Sequence, residues 1–158
     1  MGNVICFLNN KGGVAKTISA FNVGILWSMI GKKVLFIDLD SQANLTRMVS
    51  SYDNRYESGI WNNTIEDSFL IGPKLNPLPI LPSRYENVDF VPADLKLSNF
   101  ESDTAGISLK VYLLKDLIAP IKDNYDYIVV DCPPALGGII FNAMVAADGI
   151  VLVTTPDQ

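Results

Sequence analysis

The sequence contains no histidine, which removes the commonest general base and metal ligand of proteins. Chemistry in this chain must rest on carboxylates, lysines, hydroxyls and backbone amides. Cysteine is nearly missing too. Cys6 and Cys132 are the only two, too few for a disulfide framework, and each lies in an apolar, strand-like run that predicts a small buried hydrophobe. No uninterrupted apolar segment reaches the roughly 20 residues needed to cross a bilayer. Met1-Gly2-Asn3 also lacks a charged leader followed by an apolar run. These absences predict a cytoplasmic protein with no stable membrane insertion. A strong basic patch is lacking as well: the 12 Lys and Arg residues are scattered and the net charge is −5. Contact with nucleic acid would therefore have to come from a dimer surface or from sequence outside this segment.

What remains is a chain of 158 residues with 49% hydrophobic content, enough for one domain with a real core. Its organising stretch is Phe7 to Thr17, FLNNKGGVAKT, where an apolar run breaks into two glycines and then Lys16-Thr17 at the start of a helical pattern. A buried strand delivers the chain to a turn in which Gly12 and Gly13 can take backbone angles other residues avoid. Successive N–H groups then point inward at an anion. The helix that follows adds its unpaired amides and the positive end of its dipole. Lys16 would lie along the β- and γ-phosphates of a nucleotide, with the Thr17 hydroxyl on a bridging magnesium ion. The general pattern G-x-x-x-x-G-K-[ST] asks for glycine where this chain has Asn10 and Ala15, and a tight turn between strand and helix is the plain alternative.

Along the chain, Val4 to Leu8 reads as a buried strand. A helix is expected from about Lys16 to Ile30, with Val23, Leu26, Trp27 and Ile30 as a core-facing stripe and Gly31 as its stop. Val34 to Asp38 is a second buried strand, so the first two strands belong to a βαβ unit and should run parallel. The segment from Ser50 to about Pro82 is polar and proline-punctuated, with a short helix capped by Thr64. Val88 to Val91 is a short strand, followed by a possible helix through Ser98. Ser108 caps a helix to about Ile118 that buries Leu113, Leu114, Leu117 and Ile118. Ile128 to Asp131, a helix from Ile139 to Ala147, and Gly149 to Val153 complete an α/β, doubly wound, mostly parallel sheet flanked by helices. No helix follows the last strand to cover it, which predicts one domain that is cut short at its C-terminus.

Two strands close on aspartate. Ile128-Val-Val-Asp131 can set a carboxylate near a nucleotide's metal, usually through a bound water. In Phe36-Ile-Asp38-Leu-Asp40-Ser-Gln42-Ala-Asn44-Leu-Thr46, residues two apart on an extended chain face the same way. Asp38 and Asp40 can thus both project toward the phosphates, one serving the metal's water shell and the other orienting an attacking water. A pair of solvated carboxylates is the bland reading.

The K-G-G-V-x-K-T run, with the extra Lys11 ahead of the loop lysine, resembles the deviant P-loop of the ParA/MinD family of ATPases. The family's first loop position is often not glycine. DLDSQANLT is similar to its DxDxQxN/T segment, with Ser41 where proline is common. Val91-Pro-Ala, Asp131-Cys-Pro-Pro, Asn142-Ala and Ala146-Ala-Asp148 echo it more loosely. The resemblance implies a deviant Walker A P-loop NTPase fold, of which this chain is the N-terminal part. It implies ATP and Mg2+ as cofactors, held by Lys11, Gly12, Gly13, Val14, Ala15, Lys16, Thr17 and Ile18, with Thr17, Asp38 and Asp131 at the metal. Lys11 and Asp40 become the catalytic pair: Lys11 reaches across a nucleotide-sandwich homodimer to the partner's phosphates, and Asp40 positions the hydrolytic water. The NKGGVAKT and DLDSQANLT runs look closest to the partition branch. This implies slow ATP hydrolysis, nonspecific DNA binding through regions largely beyond residue 158, nucleoid association when ATP-bound, and stimulation by a ParB-like DNA-bound protein. A MinD-like membrane-cycling ATPase, a metabolic P-loop enzyme of nitrogenase-reductase or dethiobiotin-synthetase type, and a nucleotide-binding module without useful hydrolysis are the alternatives. Ala15, a methyl where backbone meets phosphate, is the departure that bears on binding and turnover.

Overall fold

The computed structural model describes residues 2–9, 11–50, 63–69, 76–100, 110–134 and 137–156. Its centre is a six-stranded sheet in the order β3-β4-β2-β5-β1-β6. The strands are β1 (Asn3–Leu8), β2 (Val34–Asp38), β3 (Leu81–Pro82), β4 (Val88–Val91), β5 (Tyr127–Asp131) and β6 (Gly149–Leu152). All neighbours pair parallel except β3 with β4, a two-residue antiparallel edge inside the stretch where the sequence signal fades. β1 and β2 are parallel, as the βαβ pattern predicts, but β5 lies between them.

Strand alternation divides the core. Phe7, Val34, Phe36, Val88, Phe90 and Val129 pack on one side, under helices α1 (Lys16–Met29) and α2 (Asn44–Val49). Val4, Cys6, Leu35, Ile37, Val91, Ile128 and Val130 pack on the other. There they meet α3 (Ile65–Phe69), α4 (Leu113–Ile118) and α5 (Gly138–Ala146). Both faces of a parallel sheet are thereby covered, and its strands can be apolar throughout. The four residues expected to bury α4 all do so. That helix is preceded by a short 3-10 turn, Lys110–Tyr112, and its expected cap Ser108 lies outside the described residues, as do Asn10 and most of the segment after Ser50. Residues Leu95–Asn99, expected as a helix, form a 3-10 turn.

The expected buried stripe of α1 requires correction. Leu26 is 61% and Ile30 72% exposed, while Val23 and Trp27 are half-buried at the flank, where Trp27 stacks on Tyr127 with ring centroids 3.9 Å apart. The face against the sheet is instead Lys16, Ala20, Gly24 and Ser28, one residue per turn. The reason is close approach: a methyl at Gly24 would overlap the Phe36 ring. Beyond the first turn the helix lies so near the sheet that the small side chains of Ala20, Gly24 and Ser28 sit between, and Phe21, Val23, Ile25 and Trp27 pack against the core from the flanks. Among the described residues no helix is long and apolar enough to cross a membrane.

The Gly24 contact carries an expectation. Gly24→Ala should lower the urea midpoint by an amount corresponding to ~1–3 kcal/mol, the cost of overpacking, and Phe36→Leu should recover part of it. Leu26→Lys, on the exposed face, should stay within about 0.5 kcal/mol of wild type.

Candidate phosphate-binding site

The site lies at the carboxyl end of the strands, where β1, β2 and β5 deliver their loops. β1 ends at Leu8, and Asn9 fixes the first turn: its Oδ1 accepts from the Lys11 amide at 2.7 Å, and its Nδ2 donates to the Val153 carbonyl beyond β6. The chain then turns through two left-handed residues, Gly13 at φ 75° and Ala15 at φ 64°, and enters α1 at Lys16. For Gly13 this conformation is free. For Ala15 it is not, because a left-handed backbone brings Cβ against the following carbonyl oxygen at a cost of roughly 1–2 kcal/mol. The sequence flagged Ala15 for its methyl near phosphate; the structure adds that the methyl also strains the loop itself.

Strand pairing sets the acidic side. Asp38 and Asp131 are register partners on β2 and β5, and strand alternation turns both toward the face that α1 covers. The Thr17 hydroxyl donates to Asp131 Oδ2 at 2.6 Å, and Lys16 Nζ stands 4.0 Å from Oδ1. That Oδ1 is buried and has no hydrogen-bond partner among the described residues. Burial pushes the Asp131 carboxyl up to about 6, against the lowering pull of Thr17 and Lys16. A buried carboxylate oxygen left open beside a hydroxyl suits a hard cation, and the ammonium next to them suits phosphate.

Asp38 is committed differently. Its Oδ1 accepts from the Asp40 amide at 3.0 Å, and its Oδ2 accepts from both the amide and the hydroxyl of Thr46 at 2.8 Å each. Burial is the largest influence on it, and its carboxyl is pushed up to about 7. The bonds tie the end of β2 to α2 and fold the intervening turn back, with Ala43 in the left-handed region at φ 54°. Thr46 also accepts from the Ala93 amide at 3.1 Å, so one hydroxyl joins β2, α2 and the segment after β4. Sequence reasoning quoted Thr46 within its motif without assigning this junction; an acceptor at a strand end with a threonine eight residues on was the available signal.

The turn so held presents Asp40, nearly buried, with its Oδ1 accepting from the Gln42 amide at 2.9 Å. Asp40 and Gln42 form one wall of an open cleft of about 720 Å³, and residues 11 to 18 of the loop form the other. The volume lies within the range of ligand sites. Of the residues expected from sequence, Lys11, Gly12, Gly13, Val14, Ala15, Lys16, Thr17, Ile18 and Asp40 line this cleft. Asp131 sits under it through Thr17, and Asp38 stands beside Asp131 facing the turn. The cysteines lie on the opposite side of the sheet. Both are buried, the Cys6 thiol donates to the Ala143 carbonyl at 3.2 Å, and contact with Cys6 together with burial holds the Cys132 thiol well above its ordinary value.

A family model described as an AAA domain matches residues 2–158, essentially the whole chain. The chain belongs to this family, as a ParA/MinD-type P-loop ATPase. The sporulation initiation inhibitor protein Soj of Bacillus subtilis is 34% identical over 152 residues, 96% of this chain and 58% of that protein. A plasmid partition protein from Borrelia burgdorferi superposes with a TM-score of 0.79 at 29% identity, covering 100% of this chain and 68% of that one. A cobyrinic acid a,c-diamide synthase from Mycobacterium smegmatis, solved with ADP and magnesium, superposes with a TM-score of 0.83 at 27% identity, covering 98% and 60%. The chain thus spans a little over half the length of the curated relatives it matches. The ParA/MinD-type resemblance drawn from the loop and the DxD run holds, and so does the doubly wound fold.

Two outcomes follow from this geometry. Ala15→Gly should be neutral to stabilising by up to about 1 kcal/mol, strain relief being set against the freer unfolded chain, whereas Ala15→Val should destabilise by more than ~1 kcal/mol, since β-branched residues resist the left-handed region. Urea denaturation reads both. The second concerns pH. Asp38 and Asp131 hold protons more tightly folded than unfolded, so their contribution to stability is fully present below the unfolded value of about 4 and is lost as pH rises through about 6 to 7. Asp131→Asn should flatten that decline in urea midpoints taken from pH 4.5 to 7.5, and an unchanged slope would contradict the assignment.

Proposed function

We propose that this chain is the nucleotide-binding part of a ParA-type partition ATPase that holds ATP with Mg2+ and hydrolyses it slowly. The observation that carries the reading is the open, buried Oδ1 of Asp131 beside Lys16 and Thr17, at the head of a loop whose residues 11 to 18 line one cleft. In this reading Lys16 and the amides of Gly12 to Thr17 bind the phosphates. Thr17 and Asp131 would hold the magnesium ion, and Asp38, its oxygens tied to Asp40 and Thr46, would add negative charge beside it from the adjoining strand. Magnesium bound there neutralises charge on the phosphate oxygens. Asp40 orients the attacking water from the opposite wall. Lys11, exposed at the cleft mouth, reaches the nucleotide of a second subunit, where charge develops in the transition state. ATP between two copies then joins them, and hydrolysis releases them.

That the Soj protein and the Borrelia protein are named for sporulation control and plasmid partition supports segregation as the setting. DNA and a ParB-like stimulator are the proposed partners, in the cytoplasm and on the nucleoid. The alternative of nitrogenase-reductase type asks the cysteines for a cluster, and both are packed in the core away from the cleft.

The test is nucleotide binding together with sedimentation. Lys16→Ala should lose ATP affinity by at least about tenfold. Lys11→Ala should bind ATP but fail to dimerise with it, and Asp40→Ala should bind and dimerise while hydrolysing on the order of 100-fold more slowly. DNA co-sedimentation should require ATP, and liposomes in the same assay test the MinD-like alternative. If ATP alters neither association state nor DNA binding, and the variants match wild type, the partition reading is wrong.

A further inference from the structure

Arg47 is the cation of the cleft that neither the loop motif nor the acidic strand ends account for. It stands on α2, directly after the Thr46 junction, so its backbone position is fixed by the three bonds that Thr46 makes to Asp38 and Ala93. Leu45 and Val49 are buried beneath the helix, and Arg47 lines the cleft on the Asp40 wall, across from Lys11 and Lys16. Its guanidinium makes one long contact, Nη1 donating to Asn44 Oδ1 at 3.4 Å, and no carboxylate pairs with it among the described residues. In a chain with 17 acidic and 12 basic residues, an exposed arginine that lines a ligand-sized cleft, with no carboxylate partner among the described residues, has donors available for an anion. The planar fork of a guanidinium fits phosphate oxygens two at a time.

We propose that Arg47 contacts the terminal phosphate of the bound nucleotide and makes the site prefer a nucleoside triphosphate over a diphosphate. This rests on the nucleotide reading above. The loop amides and Lys16 grip the part of the phosphate chain that both nucleotides share. A group extending beyond the loop, toward Asp40, meets the α2 wall, and Arg47 is the cation on that wall. The competing role is local: a basic residue in the last turn of α2 complements the helix dipole and stays solvated. That role affects stability but cannot distinguish the two nucleotides.

The experiment measures affinity for a non-hydrolysable ATP analogue and for ADP, both with magnesium, in wild type, Arg47→Ala, Arg47→Gln, Arg47→Lys and Lys16→Ala. Arg47→Ala should weaken the triphosphate about tenfold and ADP by less than about twofold. Arg47→Gln, which keeps most of the side-chain length should the alanine variant fold poorly, should do the same, and Arg47→Lys should recover part of the loss. An unchanged triphosphate-to-diphosphate ratio in folded Arg47→Ala or Arg47→Gln overturns the proposal. If Lys16→Ala loses both nucleotides while the Arg47 variants keep the wild-type ratio, this inference fails and the nucleotide reading stands. Wild type binding neither nucleotide overturns both.

Discussion

The register in which β2 pairs with β5 is the constraint on which the rest depends. It sets Asp38 beside Asp131 at the same height and on the same face, under the first turn of α1. Burial makes both carboxylates resist ionisation, and Asp131 adds to this for Asp38 as Asp40 does for Asp131. The fold answers with donors. Asp38 is met by two amides and a hydroxyl, Asp131 by the Thr17 hydroxyl on one oxygen only. The asymmetry divides their labour: one carboxylate is spent on holding a turn, and the other keeps an unfilled oxygen where a cation would be drawn.

From that pair the cleft assembles in both directions. Toward α1, Thr17 and Lys16 are anchored against Asp131, and the helix keeps its position because Ala20, Gly24 and Ser28 let it settle onto the sheet. Toward α2, the Asp38–Thr46 bonds fold the turn that carries Asp40 and Gln42, and the Ala93 amide braces it from the segment after β4. The two walls of the cleft are therefore tied to adjacent strands of one sheet. A shift of a single residue in that register would turn one of the two aspartates to the other face and part the pair.

Much of this was legible in the residues. Continuous apolar runs ending in aspartate gave β2 and β5 almost to the residue, and the glycines with Lys16-Thr17 located the loop. Stripe reading failed on α1 because it weighs side-chain size, whereas the helix is held by closeness, which selects small residues that periodicity treats as silent. The β3 edge escaped notice because a two-residue strand ending in proline carries no alternation. The division between Asp38 and Asp131 was also out of reach: both end strands in the same way, and only the positions of Thr17 and Thr46 tell them apart. DxD spacing suggested that Asp38 and Asp40 project alike; of the two, Asp40 lines the cleft, while the oxygens of Asp38 are bonded to Asp40 and Thr46.

Each wall of the cleft is launched by an alanine in the left-handed region, Ala15 before α1 and Ala43 before α2. Alanine visits far fewer backbone states than glycine, so both hinges forgo the looseness that a glycine would bring. Less disorder is then surrendered when a ligand settles between them, and capture draws on a shape that already exists. The same stiffness keeps the mouth of the cleft open whether or not a ligand lies between the walls, so entry and exit share one path.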